Sequence, residues 1–288
     1  MKIRQVAKMD FSAQDGAFWG DYMFRFTAWG HGRVYDARPL DAEGGDLPLI
    51  GEFDIKKSEP LVPHFNAVVF GNEYFDPADE FPLLYANIYN NYAKAENRLE
   101  GTCCVYRLTR SGTEFEMTLV QVIRVGFTED KTLWKSDGET PDVRPYGNFV
   151  IDTDKSLLHA FVMRDASHTT RYFTFKLPKL ADGVMSEEYG VRVVTLEQDD
   201  ILDQFDTDYH LFIQGACCHE GKIYSSEGFN ADVPPSLRVI DPAAHRQLCA
   251  VNLVELGYTV EAEWIDFRHG ICCYSDAHGT IYEVDFEL

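Results

Sequence analysis

The stretch that decides the fold is Glu261–Leu288, EAEWIDFRHGICCYSDAHGTIYEVDFEL. Its apolar residues alternate with polar ones, and Gly270 and Gly279 punctuate it into three short strands. A second stretch has the same plan. Residues 213–229, IQGACCHEGKIYSSEGF, are followed by SLRVID at 236–241 and then by a fourth strand, QLCAVNL, at 247–253. The final stretch has only three strands where its counterpart has four. Upstream, the four-step plan recurs in residues 63–125, which contain PHFNAVVF, FPLLYANIY, GTCCVYRLTR and FEMTLVQVIRV. It recurs again in 145–196, where YGVRVVTL at 189–196 is read as the fourth strand, and more loosely in 14–55.

Five four-stranded antiparallel meanders in series predict an all-β chain whose sheets are arranged radially about a channel, a five-bladed β-propeller. The missing strand then has an owner. Residues 2–9, KIRQVAKM, set Ile3, Ala7 and Met9 against Lys2, Arg4 and Lys8 and precede the first meander. They are expected to pair on the last blade, near residues 280–287, with charged side chains guarding the outer edge. The blades are expected at about 11–57, 59–125, 127–196, 199–258 and 259–288 plus 2–9, as a single domain; a six-bladed ring is the alternative. Short helical turns are expected around DPADEF (76–81), SEEYG (186–190) and EQDDILDQF (197–205), and a projecting loop at NIYNNYAKAENRLEG (87–101).

The chain has 288 residues, enough to bury a sizeable core, and a formal net charge of -21. Such a field repels phosphate backbones and anionic lipid headgroups, so neither nucleic acid nor membrane is an expected partner. The first sixteen residues, MKIRQVAKMDFSAQDG, lack the apolar run of a secretory signal. Six of the seven cysteines form the vicinal pairs Cys103-Cys104, Cys217-Cys218 and Cys272-Cys273, and Cys249 stands alone. Neighbours on a strand point to opposite faces, so the pairs are read as reduced packing residues of a cytoplasmic protein. No Cys/His spacing typical of zinc sites is present.

In this plan the starts of the inner strands converge on one mouth of the channel. They carry Gln14 and Asp15, His64 and Asn66, Tyr146 and Asn148, Gln214, and Glu261 and Glu263. These residues predict a polar, partly acidic axial pocket for a small polar ligand. Glu261 and Glu263 share one strand face, so at least one should hold its proton above the usual carboxylate range. With His64 they form a candidate acid/base set. Asp15 opposite Glu261 or Glu263, with Trp19, Trp29 or Trp134 to stack on a ring, would suit a carbohydrate and a hydrolytic reaction. The other class is a non-catalytic scaffold that binds a protein through loops such as 87–101.

Over nearly its full length the chain resembles five-bladed propellers, a plan shared by glycosidases, calcium-activated nucleotidases, lectins and inert scaffolds, so the plan alone selects no function. Ala262-Glu263-Trp264 is similar to an Ala-Glu-Trp of the calcium-activated nucleotidases, whose glutamate helps hold an axial calcium. That resemblance implies Glu263 as a ligand of a divalent cation such as calcium on the channel axis. The chain departs from it at Ala216, Asn148 and Asn66, where further acids would be wanted.

Overall fold

The computed structural model describes residues 1–42, 44–55, 64–88, 101–125, 148–164, 167–210 and 213–288. The strands are β1 (Lys2–Lys8), β2 (Asp15–Trp19), β3 (Tyr22–Phe26), β4 (His31–Asp36), β5 (Leu49–Asp54), β6 (Phe65–Phe70), β7 (Leu84–Ile88), β8 (Thr102–Ser111) and β9 (Glu114–Val125). They continue with β10 (Asn148–Asp152), β11 (Leu157–Arg164), β12 (Thr169–Lys176), β13 (Val184–Met185), β14 (Arg192–Leu196) and β15 (Asp203–Asp208). The last are β16 (Ile213–His219), β17 (Lys222–Glu227), β18 (Ser236–Asp241), β19 (Arg246–Asn252), β20 (Ala262–Arg268), β21 (Ile271–Asp276) and β22 (Thr280–Asp285).

These strands make five sheets in a ring, with β2, β6, β10, β16 and β20 innermost. The ring closes as the sequence predicts. β1 is the outer strand of the last blade and runs antiparallel to β22, from Lys2 opposite Asp285 to Lys8 opposite Thr280. A register shift between Gln5 and Ala7 leaves both Val6 and Ala7 buried. They join Met9, Trp264 and Ile281 in one apolar cluster between the last blade and the first.

Each junction between blades has such a cluster. The vicinal cysteines show how strand alternation builds them. Cys104 packs between the first and second blades and Cys103 between the second and third. Cys217 and Cys272 pack between the fourth and fifth, while Cys273 turns to the junction of the fifth with the first. Cys218 packs between the third and fourth. All seven cysteines are unpaired.

The third blade departs from expectation. β14, expected as its fourth strand, instead pairs in parallel with β9, from Arg192 opposite Gln121 to Leu196 opposite Val125. With β13 it extends the second blade to six strands. Val193 packs toward the junction of the first and second blades, and Val194 and Leu196 toward that of the second and third. The fourth strand of the third blade is β15, DQFDTD, antiparallel to β12. Its acidic composition made 197–205 look helical, but only Gln198–Asp200 forms a 3-10 turn. Phe205 is the buried residue of β15, and Asp206 fixes its exposed side through Arg171 at 2.6 Å and Arg164 at 2.9 Å. Residues 76–81 and 186–190 are turns and bends rather than helix. Among the described residues no helix is long and apolar enough to cross a membrane.

Candidate functional site

Each inner strand packs on its neighbours round the ring, and β6 also meets β16 across it. Glycine permits part of this closeness. A Cβ on Gly215 would lie 2.8 Å from the Glu263 carbonyl oxygen and 3.0 Å from the Trp264 Cα, so β16 lies against β20 only without a side chain there. At this level the axis is occupied by the chain itself. Asn66 Nδ2 and Asn148 Nδ2 both donate to the Ile213 carbonyl, at 3.5 and 3.2 Å. The Asn148 Oδ1 in turn accepts from Asn87 Nδ2 at 2.9 Å, so the Asn148 carboxamide is used up within the ring.

Above this floor the structure brings together Gln14, His64, Gln214, Glu261 and Glu263. Gln14 is the link: its Nε2 donates to Glu263 Oε1 at 3.1 Å, and its Oε1 lies 3.0 Å from His64 Nε2. A carboxamide oxygen only accepts, so Nε2 carries the ring proton in this arrangement. Gln214 Nε2 donates to Glu261 Oε1 at 2.5 Å. Glu263 is buried, and its Oε2 has no hydrogen-bond partner among the described residues. Tyr146 and Trp134 lie outside the described residues, as do 89–100 of the loop predicted at 87–101.

The electrostatics follow from burial. Burial pushes the Glu263 carboxyl up to about 8, and Glu261 adds to this, while Arg25 and the Gln14 amide pull the other way. Burial also raises the Glu261 carboxyl, which keeps a partly exposed surface. Burial lowers His64 to about 4, so its imidazole is neutral at pH 7. The carboxylate repulsion expected from sequence is present, but loss of hydration is the larger cause.

Asp15 does not join Gln14 at the mouth. It is 1% exposed, its Oδ1 accepts the Gly16 N–H at 2.7 Å, and burial holds its carboxyl well above the usual range. It belongs instead to a buried group that the sequence reading missed, centred on Arg25. Arg25 is opposite Gly16 in the β2–β3 pair. A Cβ on Gly16 would stand 2.8 Å from Arg25 Cδ, so the glycine clears the path of the side chain. The guanidinium lies 4.4 Å from the Trp264 ring centre and donates to Ser275 Oγ at 2.7 Å. Its Nε and Nη1 have no hydrogen-bond partner among the described residues. Burial lowers it to about 10 against the pull of Asp15 and Glu263. Trp264 is buried and donates to the Gly16 carbonyl at 2.9 Å, so it packs blades together. Trp19 packs partly buried between blades, and Trp29 is exposed in the turn between β3 and β4. The signal for Arg25 was legible only as a pair, an arginine facing a glycine across a hairpin.

The oxygen donors suit an axial cation poorly. The partnerless Glu263 Oε2 is the kind of atom that would bind one, but calcium takes six to eight oxygens. Here the Asn66 and Asn148 amides present N–H groups inward to Ile213, and Arg25 already supplies positive charge to Glu263.

No family model matches the chain, and no curated protein matches it. Among solved structures, glutaminyl cyclase from Myxococcus xanthus is 12% identical with a TM-score of 0.49, over 99% of this chain and 94% of that one. The computationally designed Ika8 protein is 8% identical with a TM-score of 0.37, over 97% and 98%. Neither likeness bears on the chemistry of the mouth.

Proposed function

We propose that the mouth formed by Gln14, His64, Gln214, Glu261 and Glu263 binds a small, uncharged, hydroxyl-rich ligand of the carbohydrate class. The observation that carries this is the Glu263 carboxyl: buried, raised to about 8, with Oε2 partnerless. Near neutral pH it holds a proton, Oε1 is engaged by Gln14, and the Oε2 hydroxyl is a donor in want of an acceptor. Glu261 beside it is an acceptor steadied by Gln214. A donor and an acceptor side by side match vicinal hydroxyls. The chain's net charge of -21 disfavours an anionic ligand. A proton, rather than a cation, relieves the glutamate pair. Turned into the mouth, Glu263 would pass the same proton to a glycosidic oxygen as general acid, which is the hydrolytic form of the reading.

A thermal-shift screen of neutral sugars, nucleotides and divalent ions tests this. A sugar at a hundred times its Kd stabilises the chain by about 2.7 kcal/mol, and the shift disappears in Glu263→Leu, which carries no donor, and in His64→Ala. Release of reducing ends from a hit oligosaccharide tests the hydrolytic form. Stabilisation by calcium alone would refute the proton-donor reading. A flat screen would refute ligand binding and turn the assignment to a protein-binding scaffold.

A further inference from the structure

We propose that Asp152, His159 and Cys218 form a divalent-metal site of the zinc class at the junction of the third and fourth blades, apart from the axial mouth. The three donor atoms all lie within 4.8 Å of one another. Asp152 ends β10, His159 faces Val150 across the β10–β11 pair, and Cys218 lies near the end of β16. Asp152 stands four residues along β10 from Asn148, roughly 13 Å at the rise of a strand, so the trio is at the other end of the inner strands from the glutamates.

Each residue is held so that one electron-pair donor faces the others. His159 is 3% exposed, and its Nδ1 lies 3.0 Å from Thr174 Oγ1, which leaves Nε2 as the ring atom open to the trio. Thr174 is its direct partner across the β11–β12 pair, so the sheet sets the ring's orientation. Asp152 is also 3% exposed, and its Oδ1 accepts the Lys155 N–H at 3.1 Å. Its Oδ2 has no hydrogen bond among the described residues, and the half-exposed Lys155 ammonium is 3.6 Å away. The chain turns sharply beside Cys218 at Gly221, where φ is +70°; a Cβ there would be 2.8 Å from the Lys155 ammonium.

The buried Asp152 oxygen, ion-paired only at 3.6 Å by a half-exposed lysine, converges with an imidazole nitrogen and a thiol, a set of three donor atoms that one metal ion would join. Thiolate, imidazole and carboxylate together select zinc over calcium or magnesium, and three protein ligands leave a fourth position open. Zinc bonds of about 2.0–2.3 Å need donors roughly 3.3–3.8 Å apart, so side-chain rotation must close the trio by about 1 Å. Binding releases the Cys218 thiol proton to solvent as the S–metal bond forms. The site was hidden in the sequence because its residues are 7 and 59 positions apart and meet only through the ring.

The test is titration of the reduced, chelator-treated full chain with cobalt(II). One equivalent should give a thiolate-to-cobalt charge-transfer band that zinc abolishes. The band should vanish in Cys218→Ser and persist in Cys217→Ser. His159→Gln and Thr174→Val should weaken binding about 10- to 100-fold, the threonine without touching the ion. If Cys218→Ser does not fold, alkylation of the wild-type chain with and without zinc gives the same information, because bound zinc must protect Cys218. No thiolate band, a band retained in Cys218→Ser, or equal alkylation of Cys218 in both conditions overturns the proposal.

Discussion

Glu263→Gln should stabilise this protein, and more so as the pH rises. The unperturbed carboxyl titrates at 4.5, and burial raises it to about 8 in the folded chain. Between those values the folded state holds a proton that the unfolded state has released. Stability is therefore greatest below about pH 4.5 and is lost as the pH climbs, until the folded carboxyl ionises near 8. At about 1.4 kcal/mol per pH unit, the whole window is worth on the order of 5 kcal/mol. Glutamine keeps the acceptor for Gln14 and places an uncharged donor at the partnerless position, with no proton to lose. Asp15 and Asp266 contribute slopes of the same sign, since burial raises both, so the difference between wild type and variant isolates Glu263. Urea unfolding across the window measures it. The two curves should agree at the acid end and diverge by several kcal/mol at the alkaline end. Parallel curves, or a variant less stable than wild type at high pH, would mean that Glu263 is ionised in the fold and paired with Arg25 or a cation, and the proton-donor reading of the mouth would fail.

Deleting residues 1–9 should lower the melting temperature markedly. It removes Val6, Ala7 and Met9 from their cluster and bares the edge of β22, and buried apolar side chains are worth about 1.5–3 kcal/mol each; an unchanged melting temperature contradicts the closure. Glu227→Gln should cost about 3–5 kcal/mol, because Glu227 is buried against His210 at 2.7 Å and Arg238 at 3.0 Å and its loss strands a buried cation. Burial pushes that carboxyl up, but His210 and Arg238 bring it down to about 2. Its contribution is present above pH 4.5 and lost as the pH falls toward 2, so acid unfolding of the variant should be correspondingly less steep. Thiol titration under mild conditions should find seven reduced cysteines on denaturation, with Cys249 and, in the chelator-treated chain, Cys218, the two partly exposed ones, the first to react natively; an intramolecular disulfide would sink that expectation.

Repetition is a strong signal because every blade must solve one packing problem, and the alternation in Cys217-Cys218 or Cys272-Cys273 predicts two faces that the fold then uses. The glutamate pair was legible for a similar reason: two residues apart on one strand is a local fact. What escaped was non-local. Arg25 reaches its partners only because Gly16 is opposite it, and Ser275 is 250 residues away. The Asp152–His159–Cys218 group needs two blades to exist. β14 was misplaced because VRVVTL suits any sheet edge, and β15 because acidic side chains hid a strand whose inner face rests on Phe205.

The parallel pairing of β14 with β9 has a consequence for the order of assembly. A meander completes itself from hairpins as it emerges, but a parallel pair needs the chain to travel and come back. Here the chain makes the first four strands of the second blade, then three strands of the third, returns to the second for β13 and β14, and only then lays down β15. Until residue 208 has left the ribosome the third blade lacks its outer strand, and the second gains its fifth only from chain made after most of the third. The two blades are thus laced into one cooperative unit during synthesis, whereas the fourth, built from β16 to β19 in unbroken succession, can be added to them whole.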